Sequence, residues 1–442
     1  MKENRFPYVS IVSVNYNGKA FLKDLFDSLL SLDYPEEKIE LIMVDNASTD
    51  ASDDYVKRYF PNVKIISSDK NRGYAGGNNL GIKNARHPFV ALINNDMVVE
   101  GRWLRELART LEKNGASAVG SKVLFFYEYV PIKLSSKGSF RISDLGIKKE
   151  AVGAEKEGFA QKSIKIKGAT AGRDENGDLF YDIDSEALVY LPIIEGHGRQ
   201  VFSFKNLKDT GIEASMAGKG LLKTETGSYF FIEIGSVPSE EKIRLINSAG
   251  IEINSGLYSR DRGYEEIDKA QFDKSEELFG LSGSSLLIDK ALFEDVGYFD
   301  ETFFTYYEDI DLFYRARLKG HKMYYNPASV AYHYHCGTGE EWSYSFTYHV
   351  LKNRLLMIYK NSPMAVFVKN YARFFASAVF SLLGYLKARL KGADLLRPDI
   401  KIRFKVFFIL VFLLIQKTPQ RFSIRRGSRV EDSIISNWFK DF

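Results

Sequence analysis

Cysteine is all but absent: Cys336 is the only one in 442 residues, which excludes an internal disulfide and fits a reducing compartment. A one-sided charge is also missing. The formal net charge of +4 is small for this length, so a wholly basic surface is excluded and no nucleic-acid partner is expected. Long apolar runs are short or broken. Residues 364–383 are interrupted by Lys369, Asn370 and Arg373, and residues 406–415 are uninterrupted but reach only half the length of a membrane-spanning helix. Residues 1–7 lead directly into a strand-like segment, so no signal peptide is expected.

What the chain does contain is enough apolar material, 45% of its residues, to bury more than one core, and two or three domains are expected. The first pattern is strand, loop, helix. Tyr8-Val9-Ser10-Ile11-Val12-Ser13-Val14 is rich in β-formers and ends at Asn15-Tyr16-Asn17-Gly18, after which Phe21, Leu22, Leu25, Phe26, Leu29 and Leu30 recur at helical spacing. Ile39-Glu40-Leu41-Ile42-Met43-Val44 repeats the pattern and ends at Asp45. Val63-Lys64-Ile65-Ile66 leads to the glycine-rich Asn71-Arg72-Gly73-Tyr74-Ala75-Gly76-Gly77. Phe89-Val90-Ala91-Leu92-Ile93 then ends in Asn94-Asn95-Asp96. Alternating strands and helices whose loops meet at one edge predict an α/β fold with a mainly parallel sheet, Rossmann-like in kind.

The edge loops are where chemistry is expected. Asn94-Asn95-Asp96 offers one carboxylate and two amide oxygens, a hard-oxygen set suited to Mg2+ or Mn2+; the same triplet also serves as a plain strand cap. The glycines at 73, 76 and 77 allow close backbone approach to a ligand, and the helix that follows could receive phosphate oxygens; a turn with a helix cap explains them equally. This loop matches neither G-x-G-x-x-G nor G-x-x-x-x-G-K-[ST], so the dehydrogenase and P-loop motifs are missing.

From about 129 to 242 the character changes to short alternating runs separated by turn signals such as Asp174-Glu175-Asn176-Gly177-Asp178, which predicts an inserted β-sandwich or barrel. It reads either as a carbohydrate-binding accessory or as a spacer. A second chemical centre follows at Tyr307-Glu308-Asp309-Ile310-Asp311, where three acids crowd within four positions. Glu308 and Asp311 share a helical face and Asp309 points elsewhere; an acidic first helical turn, favourable to the dipole, is the plainer reading. Further on, alternation along 324–335 places His333 and His335 on one face, and with Cys336 they could form an incomplete zinc set. Gly337-Thr338-Gly339 reads as a loop able to close over a ligand.

The series V-S-V-N-Y-N-G, V-D-N-A-S-T-D, N-R-G-Y-A-G-G-N-N and I-N-N-D resembles the amino-terminal half of family 2 glycosyltransferases with a GT-A fold, in particular rhamnosyltransferase-like members from bacteria and archaea. The resemblance covers about residues 8–128 and 244–360. It implies that Asn15, Tyr16, Asn17, Asp45, Asn71, Gly73 and Asn95 bind the nucleotide sugar. It implies that Asp96 and His333 hold the metal, Mg2+ or Mn2+, and that Asp309 is the general base. Gly283, Glu308 and Asp311 are the expected acceptor contacts. Here Asn94 stands where the family's D-x-D element has its first acid, which leaves Asp96 as the one ionised group of that element.

Four regions are therefore expected: a nucleotide-binding half at 1–128, the β insert at 129–242, an acceptor-binding half at 243–345, and a helical region at 346–442. In the last of these, residues 385–429 hold twelve Lys or Arg against Asp394 and Asp399, a composition suited to helices lying on an anionic membrane or to a packing face with a basic rim. The implied activity is inverting, metal-dependent transfer of a sugar, rhamnose by resemblance, from a nucleoside-diphosphate donor to a glycan or lipid-linked acceptor. The implied location is the inner face of the cell membrane, peripheral and cytoplasmic, with a homo-oligomer possible. The alternative is a non-catalytic protein that keeps the scaffold to bind glycans or nucleotide sugars.

Overall fold

The computed structural model describes residues 6–149, 159–173, 178–194, 200–208, 210–217, 219–221, 223–226, 228–235, 237–335, 343–390 and 398–442. The expected Asp174 to Gly177 turn, Cys336 and the loop at 337–339 lie outside them.

The amino-terminal part alternates as the apolar spacing requires: β1 (Val9–Asn15), α1 (Lys19–Leu30), β2 (Ile39–Asp45), α2 (Ser52–Tyr59), β3 (Lys64–Ser67), α3 (Gly73–Asn84), β4 (Phe89–Ile93), β5 (Met97–Val99), α4 (Trp103–Asn114) and β6 (Ala118–Phe125). Strands β3, β2, β1 and β4 pair in that order and in parallel. Both faces of β1 are covered, because Val9 and Ile11 join a core with α1 and α4 while Val12 joins another with α3. The glycines of α3 explain the close approach. A Cβ on Gly77 would lie 2.6 Å from Val14 Cγ1, and one on Gly81 would collide with Val12, so the helix lies directly on the strand.

Among the described residues the insert is a nine-stranded sheet of β7 (Tyr129–Ser135), β8 (Phe140–Lys149), β9 (Lys165–Arg173), β10 (Leu179–Pro192), β11 (Gln200–Asn206), β12 (Glu213–Met216), β13 (Lys219–Gly220), β14 (Lys223–Thr226) and β15 (Tyr229–Ile234). Every pairing in it is antiparallel. Its alternate residues, among them Ile132, Phe140, Val189, Phe202, Phe204 and Ile232, enclose a core of their own. A second aromatic cluster joins it to the first domain: Phe21 of α1 packs 4.5 Å from Phe159, and Tyr190 and Ile194 of the insert share the cluster with Phe125 and Tyr334.

The chain then re-enters the first sheet with β16 (Ile246–Ser248), and β17 (Ile251–Asn254) and β18 (Ser259–Asp261) form a hairpin beside it. Next come β19 (Glu276–Glu277), β20 (Ser285–Asp289), α5 (Lys290–Val296), α6 (Glu308–Leu318) and β21 (Met323–His333). Strand β20 inserts antiparallel between β4 and β6, and β21 lies parallel to β6. The sheet is thus mixed at this end and parallel at the other.

The helices α7 (Tyr344–Asn361), α8 (Met364–Leu390) and α9 (Pro398–Arg426) do not form a separate body. Leu355, Ile358, Val406 and Leu410 share one core with Ile253, Phe303 and Ile310, and the final strand β22 (Phe439–Lys440) pairs with β17. The expected boundary at 345 therefore divides a continuous apolar core.

Candidate active site

Three strand ends supply the first group of side chains. Asn15 closes β1 and Asp45 closes β2, in register with one another. The Asn95 amide donates to Asn15 Oδ1 at 2.8 Å, and the Asn15 amide in turn donates to Ser48 Oγ at 3.2 Å. Asp45 accepts the Ser48 N–H at 3.3 Å. Asn17 adopts a left-handed conformation and accepts the Thr49 N–H at 2.7 Å, while the Tyr16 ring is exposed beside it. Asn71 accepts from the Gly73 N–H at 2.8 Å and from Asn46 Nδ2 at 3.0 Å. The seven expected nucleotide contacts thus line adjacent loops of one sheet edge.

The glycine loop is less open than expected. Gly73 has φ +66°, and a Cβ there would strike the Phe304 carbonyl, whose oxygen also accepts the Ala75 N–H at 3.1 Å. The start of α3 is therefore partly committed to the chain itself, and the glycines serve packing between the two halves of the sheet as much as ligand approach.

Asp96 lies between β4 and β5, and β5 pairs with the end of β21 so that Met97 faces His333. His333 Nε2 lies 3.0 Å from Asp96 Oδ1, and its Nδ1 lies 3.0 Å from Asn247 Oδ1. Burial would raise the Asp96 carboxyl, but the His333 imidazole, by charge and hydrogen bond, holds it below the usual carboxylate range. Two donor atoms 3.0 Å apart match adjacent corners of an octahedron whose bonds are about 2.1 Å, so this pair fits a small divalent ion. Among the described residues no three His, Cys, Asp or Glu side chains form a metal-holding group, so the remaining ligands would have to come from elsewhere. His335, expected on the same strand face, lies beyond the end of β21 with φ +55°. Burial first, then His333 and Lys165 of the insert, push its imidazole well below the ordinary value, so it is neutral.

The acidic centre opens α6. Residues Phe304, Tyr306 and Tyr307 all have φ near +67°, a rare conformation for residues with side chains and a concentration of backbone strain just ahead of Glu308. The strain is held by Asn353 of α7, whose buried amide donates to the carbonyls of Phe303, Thr305 and Tyr306 at 2.9, 2.8 and 2.7 Å. The neighbouring Arg354 clasps the loop ahead of β18, bonding the Leu257 and Gly256 carbonyls and stacking 3.5 Å over Tyr258.

The three acids have three different fates. Asp309 accepts the Gly283 N–H at 3.1 Å and the Ile310 N–H at 2.7 Å, and the Tyr74 hydroxyl fixes Gly283 by donating to its carbonyl at 2.6 Å. Glu308 is buried and its Oε2 has no hydrogen-bond partner. Burial raises both carboxyls, and the Asp309 charge raises Glu308 further. Because Asp309 alone receives two backbone amides, Glu308 carries the proton and Asp309 the charge. Asp311 is a correction to the expected acceptor contact. It is wholly enclosed, accepting from Arg315 Nε at 3.0 Å, Lys360 Nζ at 2.8 Å and Asn361 Nδ2 at 2.8 Å, so no oxygen remains for a ligand.

Asp261, at the end of β18, joins the two centres. Its carboxyl is raised to about 6 by burial above all, with the Asp309 charge adding and Ser248 and His333 opposing, so it lies within electrostatic reach of both. Sequence reasoning assigned no role to Asp261, Asn46, Asn247 or Asn353, although each lies in or beside a segment that carries the family pattern. Two surface clefts of about 530 and 260 Å³, one bordered by Leu29, Tyr34 and Arg86 and the other by Arg109, Lys113 and Asn326, lie away from all of these residues. The site is assigned by its perturbed carboxylates rather than by cavity size.

Residues 10–171 match the family described as Glycosyl transferase family 2. The match covers the amino-terminal part of the chain. The matched segment holds the parallel half of the sheet, with Asn15, Asp45, Gly73 and Asp96 at its strand ends and connecting loops. Glycosyltransferase AglE of Haloferax volcanii is 27% identical over 124 residues, which are 27% of this chain and 41% of that protein. Poly(ribitol-phosphate) beta-N-acetylglucosaminyltransferase TarS of Staphylococcus aureus is 27% identical over 108 residues, 24% of this chain and 19% of that protein. The match thus spans less than half the length of either relative. Among solved structures, the mannosyltransferase PcManGT of Pyrobaculum calidifontis, in complex with GDP-Man and Mn2+, aligns with TM-score 0.42 and 11% identity over 99% of this chain and 89% of its own.

Proposed function

We propose that the chain is an inverting glycosyltransferase that moves a hexose from a nucleoside-diphosphate donor to a hydroxyl of a glycan or lipid-linked acceptor. The observation that carries this reading is the buried carboxylate of Asp309, held by two backbone amides, with Asp261 within electrostatic reach of both it and His333 of the Asp96–His333 pair.

In this reading Asn15, Tyr16, Asn17, Asp45, Asn71, Gly73 and Asn95 hold the nucleotide end. Asp96 and His333 would hold Mg2+ or Mn2+, which when bound neutralises charge on the departing diphosphate. Asp309 removes the proton of the acceptor hydroxyl as that oxygen attacks the anomeric carbon. Protonated Glu308 can donate a hydrogen bond to the acceptor without competing as a base. A single base acting on the acceptor hydroxyl, with direct attack on the anomeric carbon, corresponds to inversion.

The sugar is proposed by resemblance as rhamnose. A thermal-shift panel of dTDP-rhamnose, UDP-GlcNAc and GDP-mannose, each with and without Mn2+, tests both claims. We expect one donor to stabilise the protein only with Mn2+, and Asp96→Asn to remove that increment while leaving the melting temperature of the free protein within a few degrees. Protection by no donor would reject the reading, and equal protection without metal would reject the role of Asp96.

We further propose that α8 and α9 rest on a membrane surface. Met364–Lys387 is the one helix among the described residues long and apolar enough to cross a membrane. Phe380, Leu383, Phe408, Phe412, Ile415 and Phe422 are nonetheless exposed side chains on both helices, and Lys401, Arg403 and Lys405 lie near the start of α9. Apolar exposure with cationic neighbours suits an anionic interface. The full chain should float with vesicles containing phosphatidylglycerol and bind pure phosphatidylcholine less, the difference shrinking at 1 M salt. Absence from both vesicle fractions would remove the proposal.

A further inference from the structure

Two carboxylate oxygens near Asp309 lack any hydrogen-bond partner although the protein encloses them: Oε2 of Glu308 and Oδ1 of Asp261. A buried carboxylate oxygen normally has a donor, so an orphan marks the place of a group the folded chain does not itself provide. Glu308 has a role in the proposed acceptor site. Asp261 has none.

Its position narrows the missing group. Asp261 ends β18, where its backbone pairs with Ile251 and the loop behind it is clasped by Arg354 through Gly256 and Leu257. The carboxyl is therefore carried on a fixed element. It lies within electrostatic reach of both Asp309 and His333, and the hydroxyls of Ser248 and Ser282 approach it without a donor reaching Oδ1. A hydroxyl fits that place, being a neutral donor that suits a carboxylate flanked by another acid.

In the proposed reaction the diphosphate lies by His333 and Asp309 is the base, so the body between them is the hexose being transferred. We propose that Asp261 is a donor-sugar contact, its Oδ1 accepting a hydrogen bond from a ring hydroxyl of the hexose of the nucleotide sugar. This inference rests on the proposed function and adds a sugar-selecting residue to it. It makes Asp261 a specificity determinant, because a sugar lacking that hydroxyl, or presenting it on the other face, leaves the orphan oxygen unpaired.

The test uses the full chain, Asp261→Ala and Asp261→Asn, with Mn2+. Calorimetry compares whichever panel nucleotide sugar most stabilises the unaltered protein with its matching bare nucleoside diphosphate. Asp261→Ala should weaken the nucleotide sugar about tenfold or more, as expected for a lost hydrogen bond to a charged group, and the bare diphosphate by no more than about twofold. Asp261→Asn keeps an acceptor oxygen and should fall between. Equal weakening of both ligands, no weakening of either, or a change confined to acceptor KM would overturn the assignment. If the alanine variant does not fold, the asparagine variant decides by the same comparison. Failure of every donor to bind the unaltered protein removes the proposed function and this inference together, whereas normal donor binding by both variants removes only Asp261.

Discussion

Replacing Asp309 by Asn is expected to lower kcat about a thousandfold or more while the protein still binds its nucleotide sugar, the size of loss typical when a positioned general base is removed. The asparagine is nearly isosteric and its amide oxygen can still accept the Ile310 N–H, so the turn opening α6 should persist. What disappears is the ability to take a proton. Glu308 cannot substitute, because burial and the neighbouring acid keep it protonated, and Asp311 cannot because three donors already occupy it. The pH profile offers an independent readout. Burial raises the Asp309 carboxyl above its ordinary value, so the acid limb of kcat/KM should fall at a higher pH than for a solvated aspartate and should vanish from the residual activity of the variant. Turnover by Asp309→Asn within tenfold of normal, or product of retained configuration, would remove Asp309 from the role.

Much of this arrangement could be read beforehand, and the parts that could not share a physical reason. Local patterning located β1, β2, β3 and β4 with the polar ends that carry Asn15, Asp45 and Asp96, because a strand covered on both faces must be apolar until it reaches the edge. The inserted β unit was legible from its period-two runs, such as Phe202 and Phe204 pointing inward in alternation with Val201, Ser203 and Lys205. Partnerships across hundreds of residues were not legible. Nothing in the spacing of Asp311 reveals that Lys360, forty-nine positions later, fills its pocket, so its i, i+3 relation to Glu308 suggested a shared ligand face that the fold does not use. Strand alternation likewise could not show that β21 stops at His333 and turns through a left-handed His335. The asparagines were missed for a related reason. Asn353 and Asn247 act by bonding carbonyl and imidazole groups on other elements, and an amide side chain carries no local mark of such a partner.

The second large effect is on stability, at Lys360. Its ammonium is fully buried and donates to Asp300 Oδ2 and to Asp311 Oδ2, both at 2.8 Å, while Lys417 of α9 reaches Asp300 Oδ1 at 2.7 Å and Arg315 reaches Asp311. Helices α6, α7 and α9 are thereby fastened to one another by charge within an otherwise apolar core. Lys360→Met keeps an unbranched stem of similar volume but leaves two enclosed carboxylates with one cation fewer each. Breaking a buried pair from one side costs about 3–5 kcal/mol, and the remaining Lys417 and Arg315 place the expected loss near the lower figure, measured as a fall in the urea unfolding free energy. The pH dependence follows from Asp300. Burial alone would raise its carboxyl, but Lys360 and Lys417 together hold it well below the usual range. A carboxylate whose folded pKa is depressed stabilises the protein above its unfolded pKa of about 4, and that contribution is lost as pH falls through the acid range. In Lys360→Met the acid-induced part of the loss should shrink, because only Lys417 still favours the charged form. Since α6 also carries Asp309, the variant should lose turnover along with stability, whereas Lys417→Met, which leaves Lys360 between both acids, should unfold more easily yet keep the base in place. A loss below about 1 kcal/mol for Lys360→Met, with an unchanged acid limb of stability, would show that the three helices are held by apolar packing alone.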